Sequence, residues 1–292
     1  MQDESNSHSA LLDRNADLYL DLLKKSLLFS LWPEPPVSIA AFNDSRAKWK
    51  RHLISSVLIL LRSRNLGLVL ERNISAGDRE EGKIWPGYAH TMIGRVRLDN
   101  LHYCVETALR ENVPGHLIET GVWRGGACIL MQAILKARGE HDRKVFVADS
   151  FEGLPKPDAE KHPMDAGDVH HIHSFLSVSQ EQVEENFRKY NLLDENVVFV
   201  KGWFKDTLHR LEAEQFAVIR LDGDMYGSTV DALNALYLKL APGGFCIIDD
   251  YALPGCQKAV DDFREQNDIN SELQIIDYYG RFWRKEISSE SL

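Results

Sequence analysis

The sequence predicts an α/β fold, in which a mostly parallel seven-stranded sheet is covered by helices and ends in an antiparallel hairpin. Two observations predict it. From Arg97 onward, short runs rich in β-branched and aromatic residues alternate with segments of helical periodicity, which is typical of strand–helix–strand units. The last two runs are joined by the tight Tyr279-Gly280 turn, which is too short for a crossover helix, so these two strands must pair antiparallel.

The individual elements follow from the same patterns, taken in order along the chain. Strands are predicted at His116–Glu119, Val145–Asp149, Val197–Lys201, Ala217–Asp222, Phe245–Asp249, Leu273–Tyr278 and Arg281–Lys285. Helices are predicted between them at Asp99–Glu111, Ala127–Arg138, Ser179–Tyr190, Ser228–Leu240 and Gly255–Asn267.

The part of the sequence before Arg97 has a different residue pattern. Apolar residues recur there at helical spacing, and three prolines between positions 33 and 36 interrupt them, which predicts two helices, the second at Arg51–Leu70. The segment Arg79–Gly94 has no periodicity and is predicted to be a loop. We therefore expect an N-terminal helical extension over residues 1–96 and an α/β domain over residues 97–292.

Composition excludes several classes of protein. The 292 residues are 44% hydrophobic and carry a formal net charge of −10, which is ordinary for a globular protein and disfavours nucleic acid as a partner. The four cysteines lack C-x-x-C spacing, so we expect buried free thiols rather than a disulfide scaffold or a zinc site. The polar N-terminus does not resemble a signal peptide, and Arg62 and Arg64 interrupt the longest apolar stretch. A cytoplasmic protein without membrane contacts is expected.

The first predicted strand runs into a glycine-rich turn, Glu119-Thr-Gly-Val-Trp-Arg-Gly-Gly126, that precedes a helix. Its spacing differs from the G-x-G-x-x-G dinucleotide fingerprint. The second strand ends at Asp149, where an acid can accept hydrogen bonds from both hydroxyls of a ribose, so an adenosine-containing ligand fits. The alternative is purely structural, because glycines and acids after strands also serve as turn and cap residues in any α/β protein.

Four carboxylates follow two consecutive predicted strands, Asp222 and Asp224 after one and Asp249 and Asp250 after the next. Since the strands are expected to be neighbours, the carboxylates would converge and repel one another unless a cation or protons neutralised them. All-oxygen ligation favours Mg²⁺, with Mn²⁺ or Ca²⁺ as alternatives, over Zn²⁺. The structural alternatives are a helix N-cap at Asp222 or Asp224 and a solvated pair at Asp249 and Asp250.

Several longer motifs resemble one known family. The segments AHTMIG, RLDNL, LIETGVWRGGA, ADSFEGLP, VKGWF, LDGDMYGST, IDDY and WRK are similar to those of the macrocin O-methyltransferase family, class I S-adenosylmethionine (SAM) methyltransferases that act on sugars of natural products. The resemblance covers about Arg79 to Lys285 and also Leu18–Lys25. It implies a Rossmann-like methyltransferase sheet, SAM as methyl donor, a Mg²⁺ ion, and homo-oligomers in which N-terminal segments help to close the substrate site.

The resemblance also implies roles for particular residues. Those that match the cofactor turn, the ribose-binding acid with its neighbour, and the adenine side of the pocket are Glu119, Thr120, Gly121, Trp123, Asp149, Ser150, Gly202 and Trp203. Those that match the metal ligands are Asp222, Asp249 and Asp250, and Asp224 matches the general base. A sugar substrate is expected to contact Trp85, Tyr88 and His90, for which packing under a loop is the structural alternative.

Together these observations predict a SAM- and Mg²⁺-dependent O-methyltransferase of a sugar hydroxyl in a glycosylated natural product. A metal-bound vicinal diol would be deprotonated by Asp224. Two alternatives stay open: a catechol or another non-sugar diol as the acceptor, and a noncatalytic nucleotide-binding protein of the same fold. The clustered carboxylates disfavour the second alternative, because binding alone does not require an acid beside a metal.

Two segments are longer than their surroundings require. The segment Glu152–Phe175, which we name the lid segment, contains prolines and a glycine that interrupt regular structure, and a lid over the substrate is expected. Its histidines at 170, 171 and 173 are interpreted as solvated rather than metal-binding.

The segment from Ser30 to Arg72 exceeds the length expected from the family, and its apolar helix is expected to pack on a second subunit or to cap the active site.

Overall fold

The computed structural model describes residues 2–39, 48–71, 75–211 and 214–287. Its N-terminal elements are α1 (Gln2–Leu27), β1 (Val37–Ser38), α2 (Lys48–Arg62), β2 (Val69–Leu70) and α3 (Ala76–Glu80). The elements that follow are α4 (Gly94–Arg110), β3 (His116–Thr120), α5 (Gly126–Ala137), β4 (Val145–Asp149), α6 (Gln180–Lys189), β5 (Val197–Lys201), α7 (Phe204–Thr207), β6 (Phe216–Leu221), α8 (Tyr226–Leu236), β7 (Leu240–Ile248), α9 (Pro254–Gln266), β8 (Gln274–Ile275) and β9 (Arg281–Arg284).

The central sheet has seven strands in the order β5-β4-β3-β6-β7-β9-β8. The first five of these are parallel, β9 pairs antiparallel with β7, and β8 pairs antiparallel with β9. This arrangement confirms the predicted mostly parallel sheet with an antiparallel hairpin. Because the five parallel strands end at one edge, the residues that follow β3, β4, β6 and β7 meet there.

The sheet is buried on both faces, which explains why its strands are almost continuously apolar. Along β4, Val145 and Val147 pack in one hydrophobic cluster with residues of α1, α4, α5 and α6. The alternate residues Phe146 and Ala148 pack in the other cluster with residues of α8 and α9. The two-residue period of the strand therefore assigns one helical layer to each face.

The N-terminal helix α1 is part of this core. Leu20, Leu23 and Leu27 are buried in the cluster that covers β4, and α1 packs against α5. The expected boundary between residues 96 and 97 falls inside α4, which begins at Gly94. By contrast, α2 exposes most of its apolar side chains, so its contact with a second subunit or with the active site stays a prediction.

The bounds of some elements differ from those predicted. Helix α2 ends at Arg62 rather than at Leu70, because a turn with Asn65 at a positive φ of 56° redirects the chain into β2. Helix α8 ends at Leu236, and the apolar residues after it lead into β7 from Leu240, five positions before the predicted Phe245. A 3₁₀ turn at Tyr237–Lys239 separates the two elements, and Pro242 favours extended backbone at Ala241, the second residue of β7.

Three smaller findings complete the comparison with the sequence. Helix α3 includes Arg79 and Glu80, the first two residues of the predicted loop. Within the predicted segment 30–72, residues 40–47 and 72 lie outside the described residues. All four cysteines are buried free thiols, as predicted. Among the described residues, no helix combines the length and the apolar character that a membrane span requires.

Candidate active site

A cavity of about 250 Å³ opens at the carboxyl edge of the sheet. Among the residues predicted to bind a ligand, those that line it are Gly121, Trp123, Asp149, Ser150, Trp203, Asp222 and Asp224. The lid segment contributes a large part of the wall, including Leu154, Pro155, Lys161 and His162. The structure therefore brings the two groups of predicted residues, from the glycine-rich turn and from the carboxylate cluster, to one cavity.

The glycine-rich turn is shaped by two unusual backbone positions. Gly121 has a φ of 81°, and a Cβ atom there would lie 1.8 Å from the carbonyl oxygen of Asp222, so only glycine fits. Trp123 also has a positive φ, of 46°, and its indole Nε1 donates a hydrogen bond to the carbonyl of Phe175 at 3.0 Å. The turn is thus packed against the loop after β6 on one side and joined to the end of the lid segment on the other.

Asp149 connects the loops after β3 and β4. Its carboxylate accepts hydrogen bonds from the backbone N–H groups of Val122 and Phe151, at 2.8 and 2.7 Å. Burial raises the pKa of Asp149, and these hydrogen bonds oppose that effect. The neighbouring Ser150 hydroxyl donates to the carbonyl of Gly153 at 2.7 Å, which tightens the same loop. Gly202, after β5, donates its N–H to the carbonyl of Asp149 at 2.9 Å.

Three carboxylates come together at the other end of the cavity. Oxygens of Asp222, Asp224 and Asp250 lie within 4.8 Å of one another, close enough to hold one metal ion. The backbone N–H of Asp224 donates to Oδ2 of Asp250 at 3.1 Å, and Asp224 has a positive φ of 55°. Burial, with the negative charges of Asp222, Asp168 and Asp249, raises the pKa of Asp224 to about 8. Such backbone strain and pKa shifts are typical of functional sites.

Asp249 lies beneath this cluster rather than in it. Its side chain is 5% exposed, and its two oxygens accept hydrogen bonds from Arg97 and Arg220. Arg220 also contacts Glu119 and lies 3.1 Å from Asp222. The structure therefore places two of the predicted residues, Glu119 and Asp249, in a buried charged layer below the cavity. The nearby Thr120 is fully buried as well.

The three predicted sugar contacts do not line this cavity in the described structure. Trp85 packs its ring against His173 and Phe175 of the lid segment, with ring centroids 5.2 and 4.8 Å apart. Tyr88 stacks on Phe29. These contacts resemble the packing alternative.

His90, the third of these residues, joins three elements. Its Nδ1 lies 2.8 Å from the hydroxyl of Tyr190, its N–H donates to the carbonyl of Leu27, and its carbonyl accepts from Gly126 at the start of α5. Burial lowers the pKa of His90 to about 4, helped by the positive charges of Lys189 and Arg124.

Sequence reasoning missed several residues around the site. Arg220 gave a signal, because it is the single charged residue within the otherwise apolar run Phe216–Leu221. Asp165 gave none, since its buried contacts are with residues far away in the sequence. Arg97 and Met92 lie in the family motifs RLDNL and AHTMIG, but no role was predicted for either residue, although Met92 lines the cavity.

Comparison with known proteins agrees with this geometry. The family model of macrocin-O-methyltransferase (TylF) matches residues 16–285. The chain is 45% identical over 274 residues, 94% of each protein, to 8-demethyl-8-(2,3-dimethoxy-alpha-L-rhamnosyl)-tetracenomycin-C 4'-O-methyltransferase of Streptomyces olivaceus. It is 50% identical over 224 residues, 75% of this chain and 87% of the relative, to mycinamicin III 3''-O-methyltransferase of Micromonospora griseorubida.

A solved structure extends the likeness to three dimensions. The structure of the O-methyltransferase NovP superimposes with a TM-score of 0.79 at 42% sequence identity, covering 93% of this chain and 100% of that one. The likeness identifies the fold described above as a methyltransferase fold, and the cavity lies at the strand ends where an open α/β sheet binds its ligands. The chain belongs to the macrocin O-methyltransferase family of enzymes.

Proposed function

We propose that this enzyme transfers the methyl group of SAM to a sugar hydroxyl of a glycosylated natural product and that it requires Mg²⁺. The observation that carries the proposal is the single cavity lined both by Asp149 and the glycine-rich turn and by the carboxylates Asp222 and Asp224. A donor held at one end and a base held at the other are what methyl transfer to a hydroxyl needs.

The wall near β3 and β4 supports the SAM half of the proposal. Asp149 is positioned by two backbone hydrogen bonds, and it keeps acceptor capacity for the ribose hydroxyls. Trp203 lines the same wall and offers a flat apolar surface for the adenine. Gly121 lets this turn approach the backbone of Asp222 closely, and it lines the cavity as well.

The carboxylate cluster supports the Mg²⁺ half, because its donor set consists of oxygens alone. Burial and mutual repulsion raise the pKa values of Asp222 and Asp250 well above the ordinary range, a cost that a divalent cation would offset. We propose that Asp222 and Asp250 hold the ion. Each carboxylate oxygen of Asp249 accepts a hydrogen bond from one arginine, Arg97 or Arg220. We propose Asp249 as the third ligand, with one of these oxygens binding the ion while it keeps its hydrogen bond. When bound, the ion would make a nearby hydroxyl more acidic.

Asp224 is the proposed general base. Its carboxylate lines the cavity beside the proposed metal ligands, and we propose that it accepts the proton of the acceptor hydroxyl there. Because a sugar hydroxyl is a poor nucleophile, removing its proton as the oxygen attacks the methyl carbon is the main chemical task left to the protein. The charged layer below keeps the backbone around Asp222 in place for this task.

The acceptor class is supported by the relatives, whose names specify positions 4' and 3'' of sugar-bearing antibiotics. We propose the same class of acceptor here, a hydroxyl on a sugar attached to a natural product. The two relatives differ in the position that is methylated, so the position in this enzyme requires a panel of glycosides.

The test is methyl transfer from labelled SAM to that panel, with and without Mg²⁺. EDTA and Asp222→Ala are each expected to abolish turnover, and Asp224→Asn is expected to lower kcat by about 100-fold or more while SAM binding, measured by calorimetry, is unchanged. Asp142→Ala, which removes an exposed carboxylate outside the cavity, serves as the matched control. Full turnover in EDTA would rule out the metal-dependent mechanism.

A further inference from the structure

One buried carboxylate fastens the middle of the lid segment to the start of α8. Asp165 is 5% exposed. Its Oδ1 accepts the N–H of Tyr226 at 2.6 Å, and its Oδ2 accepts the N–H of Gly227 at 3.0 Å. These are the first two amides of α8, which have no partner within the helix, and Met225 before them provides no side-chain cap. Asp165 thus caps α8 from a position 61 residues earlier in the chain.

The surface that receives Asp165 is shaped for it. A Cβ atom at Gly227 would lie 2.8 Å from the ring of His162, and one at Gly255 would lie 3.1 Å from Oδ1 of Asp165. The His162 ring also packs against that of Tyr226, with centroids 5.5 Å apart. Two glycines, one in the first turn of α8 and one in the first turn of α9, therefore leave a notch that the lid segment fills.

The notch lies directly behind the carboxylate cluster. Helix α8 begins two residues after Asp224, and α9 begins four residues after Asp250. Asp165 and Gly227 themselves line the cavity, as do other residues of the lid segment such as Leu154 and Lys161. Asp165 consequently joins the cavity wall to the two turns that carry the acids.

We propose that Asp165 is a positioning residue for methyl transfer, which holds the lid segment over the cavity and fixes the turn that carries Asp224. The carboxylate suits this role because it accepts from two backbone amides at a helix N-terminus, where negative charge is favoured. The proposal rests on the proposed function only through the KM for SAM, whereas attachment of the lid segment is measured by proteolysis without an acceptor.

The first experiment replaces Asp165 by asparagine. The amide oxygen can keep one of the two hydrogen bonds, but the NH₂ group then faces the other backbone N–H. We expect the KM for SAM to rise by about ten-fold or more, with a smaller change in kcat, because a bond to a charged acceptor is lost. Trypsin should also cleave the folded enzyme after Lys161 faster, by a similar factor. Mass spectrometry of the fragments measures the rate of this cleavage.

The matched control is Glu160→Gln, which makes the same charge change at an exposed position of the same lid segment. It should leave both the KM for SAM and the cleavage rate within about two-fold of the unmodified enzyme, since an exposed substitution has small effects. If Glu160→Gln matched Asp165→Asn in both measurements, charge alone would explain the result and the proposal would fail.

A second variant keeps the proposal testable if Asp165→Asn does not fold. Gly227→Ala leaves the carboxylate in place and favours helix, but its methyl group would press on His162 and displace the lid segment. The same rise in KM and in cleavage after Lys161 is expected, and His162→Ala in the double variant should partly reverse the faster cleavage. Unchanged cleavage in Gly227→Ala, or a freed lid segment with an unchanged KM for SAM, would overturn the proposal.

Discussion

Charged side chains join elements of this enzyme in two regions, and the two regions differ in how deeply they are buried. Beneath the cavity, Arg220 has a side chain that is 1% exposed and contacts Glu119 and Asp249, which are nearly as buried. At the contact of α1 with α5, Arg138 is 21% exposed and pairs with Asp17, which is 63% exposed, at 2.6 Å. We name these the inner network and the outer network.

This difference in burial indicates which charged residues hold the strand-end acids in position. Water screens the outer network, so each of its pairs contributes little to stability, and α1 is held mainly by its buried leucines. In the inner network no water replaces a lost partner, and each charge depends on the others. Arg97 extends this network from Asp249 to Asp277, at 3.1 Å, and thereby connects α4 to the loop before β9. The inner network therefore determines where the strand-end acids lie.

The largest expected effect follows from removing the centre of the inner network. Arg220→Met leaves Glu119, Asp222 and Asp249 without the guanidinium that lies among them. We expect the free energy of unfolding to fall by about 3–5 kcal/mol, because buried carboxylates lose their counter-charge. Urea unfolding at pH 7, followed by circular dichroism, measures the change.

A double variant provides the control for Arg220→Met. Adding Glu119→Gln removes one of the stranded charges and should restore part of the lost stability, which an effect of side-chain volume alone would not do. A loss below about 1 kcal/mol in Arg220→Met would place the inner network in the same class as exposed ion pairs.

An intermediate effect is expected at His90, where α1 meets the start of α5. Its pKa of about 4 in the folded enzyme lies below the ordinary 6.5, so in this interval the unfolded chain binds the proton and the folded enzyme does not. Stability is therefore complete above about pH 6.5 and falls as the pH decreases toward 4. Since the side chain is partly exposed, we expect this contribution to be about 1–2 kcal/mol.

The variant that isolates this contribution is His90→Gln, which can still hydrogen-bond the Tyr190 hydroxyl but does not titrate. The difference in unfolding free energy between the two proteins should change with pH between about 4 and 6.5 and be constant above that interval. A difference that is the same at pH 4.5 and pH 7.5 would show that folding does not lower the pKa of His90.

Much of the site could be predicted because strand ends leave a local signature. An apolar run that stops at a carboxylate, as at Asp149 and at Asp222, indicates both the end of the strand and the edge at which it lies. The glycine at position 121 was detectable in the same way, since a turn there needs a positive φ. These features depend on a few consecutive residues, which sequence patterns report well.

The remaining features depend on residues that are distant in the sequence. Nothing near Asp165 indicates that it caps α8, and nothing near Arg97 indicates that it reaches Asp249. The apolar pattern after Leu236 predicts a longer helix, whereas α8 ends there and β7 already begins at Leu240, because apolar periodicity alone does not mark where a helix changes to a strand. Asp249 and Asp250 are adjacent in the sequence, but successive residues turn to different sides, so Asp249 accepts from Arg97 and Arg220 while Asp250 lies in the carboxylate cluster.

The smallest effect is expected in the outer network and tests the comparison most directly. Arg138→Gln removes a guanidinium that contacts Glu106 of α4 and Asp17 of α1. We expect the free energy of unfolding to fall by less than about 1 kcal/mol, and the difference to shrink further in 1 M salt, which screens exposed charges. Urea unfolding at low and high salt measures both. A loss as large as that of Arg220→Met would mean that the number of partners, and not burial, sets the contribution of each network.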